Sequence, residues 1–257
     1  MCVPSTILKW TKLAREYETQ DEVMDSELSE LIAKYCNLQA TINQCDEYID
    51  PVKVVEYASN IDAELIAWAT KWHSGDLYDT ILASPSLDIL SDYWHSYSDI
   101  MITCVWNNYR SIRILLHQII TEQLSRIESS FPTDSILQYS STIQRQIEAS
   151  KKEIIELSHE ICATIPYYMY HSYYNDRAGW DSAYHPKNTA RTKLVIWPLY
   201  VAGQSECVSD SMRFWTAYQL EKIGVSMGIG KCVALAQLLR MKLRHAPKKW
   251  REIGMDE

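Results

Sequence analysis

The sequence predicts an all-α fold, a single multi-helix domain of about eight to ten helices spanning residues 1–257. Three observations predict it. Glycine and proline are scarce, at 7 and 8 residues in 257, which argues against turn-rich sandwiches, barrels and phosphate-cradling nucleotide folds. Apolar residues recur at three- and four-residue spacing over several stretches. Residues 93–128 contain neither glycine nor proline.

The elements follow in order. Pro4 and Ser5 precede an amphipathic stretch through Ile7, Leu8, Leu13 and Ala14, a first helix to about Tyr17. From Asp25, the residues Leu28, Leu31, Ile32, Tyr35, Leu38 and Ile42 hold helical spacing until Pro51. Pro51 suits the first turn of a third helix, where its missing N–H has no partner to lose, and Val54, Val55, Ala58, Ile61, Leu65 and Trp68 form the buried stripe as far as His73 and Gly75. The segment 76–91, broken by Pro85, is assigned no form. Tyr93 to Glu128 reads as one long helix or two stacked ones, carrying Ile102, Trp106, Tyr109, Ile112, Leu115, Leu116 and Ile119. After Phe131-Pro132, Thr133 or Asp134 caps a helix through Ile136, Ile143, Ile147, Ile154, Leu157 and Ile161, with its end at Pro166.

Residues 170–190 break the periodicity with four tyrosines, a tryptophan and two histidines, and are expected to form a long irregular loop acting as a lid over one end. Leu194 to Ala202 contains Pro198 and predicts a kinked helix. Ser209 caps Asp210 to Ile223, and Gly228 with Gly230 separates that helix from a last one, Lys231 to Arg244.

The net charge of −8, from 33 acidic and 25 basic residues, supplies no general attraction to a phosphate backbone or an anionic membrane, so neither nucleic acid nor membrane is expected as a direct partner. The C-terminal cluster Lys242, Arg244, Lys248, Lys249 and Arg251 reads as a solvated end. Seven scattered cysteines, without a CxxC pair, fit a reduced intracellular setting, cytoplasmic or nuclear. The first residues show no basic stretch followed by an apolar one, and no apolar run approaches the ~20 residues a membrane span needs.

The strings ICATIPYYMY at 161–170, KLVIWPLYVAG at 193–203 and SMRFWTAYQLEKIGVSMGIGKCVALAQLL at 211–239 resemble the C-terminal regulatory region of fungal zinc-cluster transcription factors. WNNYRSIRILLHQII at 106–120 is similar to the helix before them in that family. The resemblance covers residues 91–245, and residues 1–90 fit the family's upstream helices only loosely. It implies an all-helical, effector-responsive domain. The family's DNA-binding zinc cluster, six closely spaced cysteines among basic residues, has no counterpart here, since Cys36 and Cys45 stand alone. The opening Met1 favours a complete chain over a fragment.

Candidate chemistry is sparse. Asp21-Glu22-Val23-Met24-Asp25 and Asp46-Glu47-Tyr48-Ile49-Asp50 both read DExxD, a spacing able to hold Mg²⁺, but no second ligand set follows and they read as solvated helix ends. The seven histidines stand singly, so each is expected at the surface or hydrogen-bonded in the core. GVSMGIGK at 224–231 joins two helices and is a turn. No metal and no cofactor is expected.

The aromatic inventory says more: of 28 rings, 26 are Trp or Tyr, so most carry a polar handle. Core packing accounts for many of them. The functional expectation is an apolar cavity lined by Trp94, Trp106, Tyr109, Tyr167, Trp197 and Tyr200, gated by 170–190, with Arg113 and Glu206 as its polar or catalytic groups. Arg110 lies beside Trp106 in the same run. Two functions fit. One is a regulatory-type protein responsive to an apolar small molecule, without a DNA-binding module; the other is an enzyme of fungal secondary metabolism recruited from that fold, a metal-free cyclase, pericyclase or isomerase working by shape and preorganisation on a polyketide, terpenoid or alkaloid intermediate. A homodimer is left open.

Overall fold

Stripes of apolar side chains at helical spacing set most of the architecture. The computed structural model describes residues 3–14, 17–44, 49–72, 78–82, 89–130, 136–175 and 192–243, and over these the chain is predominantly α-helical. Its elements are α1 (Ser5–Ala14), α2 (Gln20–Gln44), α3 (Pro51–Trp72), β1 (Tyr78–Leu82), β2 (Tyr93–Tyr97), α4 (Ile100–Ser130), α5 (Ile136–Asn175), a 3-10 turn Lys193–Val195 leading into α6 (Ile196–Gln204), α7 (Asp210–Met227) and α8 (Gly230–Met241). They fall into two compact units: residues 1–75 with 112–153, and residues 76–111 with 154–257.

In the first unit, Pro51 opens α3 and Val54, Ala58, Ile61, Leu65 and Trp68 lie buried as their spacing predicts, while Val55 of the expected stripe is only half-buried. α2 supplies Met24, Leu28, Leu31 and Leu38 to the same core. The two helices run antiparallel, because their cross-links run in opposite order. The Trp68 indole donates to the Met24 carbonyl at 3.2 Å, Lys71 meets Glu27 at 2.6 Å, and Lys34 pairs with Glu64. Ile112, Ile114, Leu116, Ile119, Ile120 and Leu124 of α4 and Ile147 of α5 add to the unit's buried apolar set.

In the second unit, Met212 to Ala217 are six consecutive buried residues, so α7 is packed on every side. Ser209 caps it by accepting a hydrogen bond from the Met212 N–H at 3.2 Å. Its end is set by Gly228, the described residue with positive φ (67°), and the Gly228 and Ile229 N–H groups both reach the Gly224 carbonyl. At Gly203 on α6, an added methyl group would collide with the Thr216 hydroxyl and come within 2.9 Å of Leu239 Cδ1. That hydroxyl already donates to the Arg213 carbonyl at 2.9 Å, so it has little freedom to swing away. Gly203→Ala is therefore expected to lower stability by about 1–3 kcal/mol, seen as a lower urea midpoint at unchanged m-value.

Three expectations are corrected. Tyr93–Tyr97 is a strand, and α4 starts only at Ile100. Tyr, Trp and Tyr in YWHSY favour pleated backbone, Tyr78–Leu82 offers a partner, and the Asp99 carboxylate takes the Met101 N–H at 2.5 Å, placing the helix start. Pro166 does not end its helix: α5 continues to Asn175, so 170–175 are helical, and 176–190 of the expected lid lie outside the described residues. Residues 161–169 are buried all round, and that packing holds the helix through a proline that lacks a donor. Pro198 falls in the first turn of α6, where no N–H is required, rather than at an interior bend.

Candidate functional site

β1 and β2 pair antiparallel with Tyr78 opposite Tyr97, Thr80 opposite His95 and Leu82 opposite Tyr93. Since side chains alternate along a strand and directly opposed residues share a face, one face of the hairpin carries Tyr78, Thr80, Tyr93, His95 and Tyr97. The Tyr78 and Tyr93 rings flank the His95 ring at 4.2 and 5.4 Å, and Tyr78 lies 4.9 Å from Tyr97. Tyr97 meets Tyr167 of α5 edge to face at 6.0 Å.

Two charges stand among these rings. Arg110 of α4 is buried, and donates from Nη2 to the Tyr97 hydroxyl at 2.9 Å and to Glu160 Oε2 at 3.4 Å, and from Nη1 to Asn107 Oδ1 at 3.1 Å. Asn107 in turn donates to the Thr164 hydroxyl at 2.9 Å. Glu160 of α5 accepts both cationic and imidazole partners on one oxygen, with His95 Nε2 3.2 Å from Oε2. His95 Nδ1 faces the Thr80 hydroxyl at 3.4 Å. The Glu160 side chain stays 32% exposed, and Tyr78 and Tyr93 are half-buried, so the cluster has a solvent edge.

The electrostatics follow from that placement. Burial pushes the Glu160 carboxyl up, but the His95 hydrogen bond and the Arg110 charge outweigh it and hold it below its ordinary 4.5. Burial raises the Tyr97 phenol, with Arg110 opposing, and burial together with the Glu160 charge raises Tyr78 and Tyr93. All three are neutral phenols near pH 7. The arrangement places a partly exposed carboxylate and two half-buried tyrosine rings at the solvent edge.

The expected site residues are distributed differently. Trp94, Trp106, Tyr109 and Tyr167 are buried, and Trp106 packs edge to face on Tyr109 at 5.4 Å. Trp197 is 50% exposed and lies 6.0 Å from Tyr200, so these two form a separate pair on α6. Glu206 is exposed and pairs with Lys242 at 3.2 Å. Arg113 belongs to the first unit, where its Nε meets Asp62 Oδ1 at 2.7 Å, its Nη2 meets Oδ2 at 3.2 Å and its Nη1 meets Glu153 at 2.7 Å.

His117 bridges that ion pair to α5, with Nε2 3.4 Å from Asp62 Oδ2 and Nδ1 3.2 Å from the Ser150 hydroxyl. The order Ser150, His117, Asp62 is that of a nucleophilic relay, but Ser150 is buried in the interior of α5, where helix geometry commits the neighbouring N–H groups to the ladder rather than to an oxyanion, and Asp62 is gripped by Arg113. It is a structural network. Among the described residues, no group of three or more His, Cys, Asp or Glu is placed to hold a metal ion, and no helix is long and apolar enough to cross a membrane.

Sequence reasoning missed Tyr78, Tyr93, His95, Tyr97, Glu160 and Asp62. The signal for Tyr93, His95 and Tyr97 was present: aromatic residues at every second position of YWHSY mark one face of a strand. No family model, curated protein or solved structure matches this chain.

Proposed function

We propose that this chain is a small-molecule-responsive regulatory-type domain, and that the ligand meets it at the hairpin face where Tyr78, Tyr93 and Glu160 reach solvent. The observation that carries this reading is the Arg110–Glu160–His95 cluster, an ion pair set among tyrosines with one carboxylate edge left open. Taking charges out of water is costly, and a pair that keeps an exposed edge within aromatic surroundings has the make-up of a binding site, mostly apolar with a few placed polar groups. The sequence strings at 106–120, 161–170, 193–203 and 211–239 that resemble a fungal regulatory domain favour the same reading. The alternative, a metal-free cyclase, pericyclase or isomerase, calls for a closed apolar chamber, and the half-exposed Trp197 gives that reading no wall.

The test uses three naphthalene probes that differ in charge: 2-naphthalenemethanol, 2-naphthoate and (2-naphthylmethyl)trimethylammonium. At least one is expected to raise the melting temperature of the purified chain saturably, by the few degrees that a ligand held well above its Kd produces, with the rise lost in Tyr93→Leu. If none of the three stabilises the chain, or if Tyr93→Leu responds as the parent does, the proposal fails.

A further inference from the structure

Resting on that reading and deepening it, we propose that the hairpin site takes an organic cation, an alkylammonium group seated against Glu160 Oε1 and the rings of Tyr78 and Tyr93. Glu160 uses a single oxygen, Oε2, for both Arg110 and His95, and its Oε1 has no hydrogen-bond or ion-pair partner among the described residues. A carboxylate oxygen accepts more than one hydrogen bond, so an unused one on a side chain that is 32% exposed beside aromatic rings is an anionic acceptor with an apolar floor. Aromatic faces attract cations through their quadrupole, best where the cation is large and weakly hydrated. Tyr78 and Tyr93 offer such faces on either side of His95.

The surrounding charge has the same sign. Residues 76–99 contain five aspartates (Asp76, Asp79, Asp88, Asp92 and Asp99) and no lysine or arginine, so the hairpin segment is an acidic stretch that draws cations toward it. An anion is disfavoured. Arg110, the arginine that reaches Glu160 among the described residues, is buried and already donates to Tyr97, Asn107 and Glu160. A small divalent metal ion is disfavoured too, because it needs about six oxygen ligands and the open edge supplies one carboxylate oxygen. A soft organic cation uses both the carboxylate and the rings.

Isothermal titration with the three naphthalene probes tests the charge class. The trimethylammonium probe is expected to bind about ten-fold tighter than the neutral alcohol or the carboxylate at low salt, and to lose that advantage as salt is raised. Tyr78→Leu and Tyr93→Leu should each weaken the cation by about three- to ten-fold. Glu160→Gln should remove the preference for cation over alcohol. Because Glu160→Gln also disturbs the Arg110 pairing, the two tyrosine variants, at half-buried positions, carry the test if it does not fold. Binding of the neutral or anionic probe at least as tight as the cation would overturn the cation assignment while leaving a hairpin ligand site standing. No binding by any probe would overturn both.

Discussion

Replacing Arg213 by methionine is expected to lower stability by about 3–5 kcal/mol, among the largest losses any single change in this chain should produce. The Arg213 side chain is 1% exposed and lies on α7. Its guanidinium donates to the Gly203 carbonyl at 3.2 Å, the Ser205 carbonyl at 2.6 Å, the Lys242 carbonyl at 3.0 Å and the Asp210 carboxylate at 3.3 Å. Gly203 and Ser205 end α6 and Lys242 ends α8, so one side chain satisfies carbonyls that helix geometry leaves without donors at two C-termini. Methionine fills similar volume and leaves those acceptors unsatisfied, at about 1–3 kcal/mol for each that water does not reach. Arg213→Lys should fall between, since a point charge cannot match a planar fork aimed at several oxygens. Urea unfolding followed by tryptophan fluorescence measures both, and a loss below about 1 kcal/mol for Arg213→Met would contradict the capping role.

The second large effect is expected at Arg113. Arg113→Met should cost about 3–5 kcal/mol at neutral pH, because it leaves Asp62 nearly buried without its bidentate partner and leaves Glu153 without its ion pair. Asp62→Asn in the same chain should restore part of the loss, and a double-mutant cycle then isolates the coupling between the two residues. Burial by itself would raise the Asp62 carboxyl, but hydrogen bonds from His117 and Arg113, with their charges, hold it below its ordinary 3.8. A carboxyl lowered in the folded state contributes stability that is fully present above about pH 4 and is lost as the pH falls through its folded value. Glu160, lowered from 4.5, has the same sign. The parent chain should therefore lose stability progressively below about pH 4.5. In Arg113→Met the Asp62 carboxyl keeps only His117 and should titrate higher than in the parent chain, so the penalty of the substitution should shrink as acid neutralises it. A penalty independent of pH between 3 and 7 would show that the ion pair was not its source.

The α-helical class, the stripe along α3, the Ser209 cap and the Gly228 terminus were all legible in the sequence, because each rests on local rules. Apolar spacing of three and four marks a helix face, a serine before a helix accepts its orphan N–H groups, and glycine adopts positive φ without strain. What the sequence left unread depends on partners distant along the chain. YWHSY suits a strand by composition, yet it becomes one only by pairing with Tyr78–Leu82, and helical spacing downstream concealed it. Pro166 carries a local signal to stop, and tertiary burial of 161–169 overrode it. The charges show the same divide. Arg110 and Arg113 sit three positions apart on one helix and look alike as letters. Only the tertiary structure sent the first to Tyr97 and Glu160 and the second to Asp62 and Glu153, since the pairing of a buried charge is set by what packs against its helix, 50 residues away for Arg110 and Glu160 and 51 for Arg113 and Asp62.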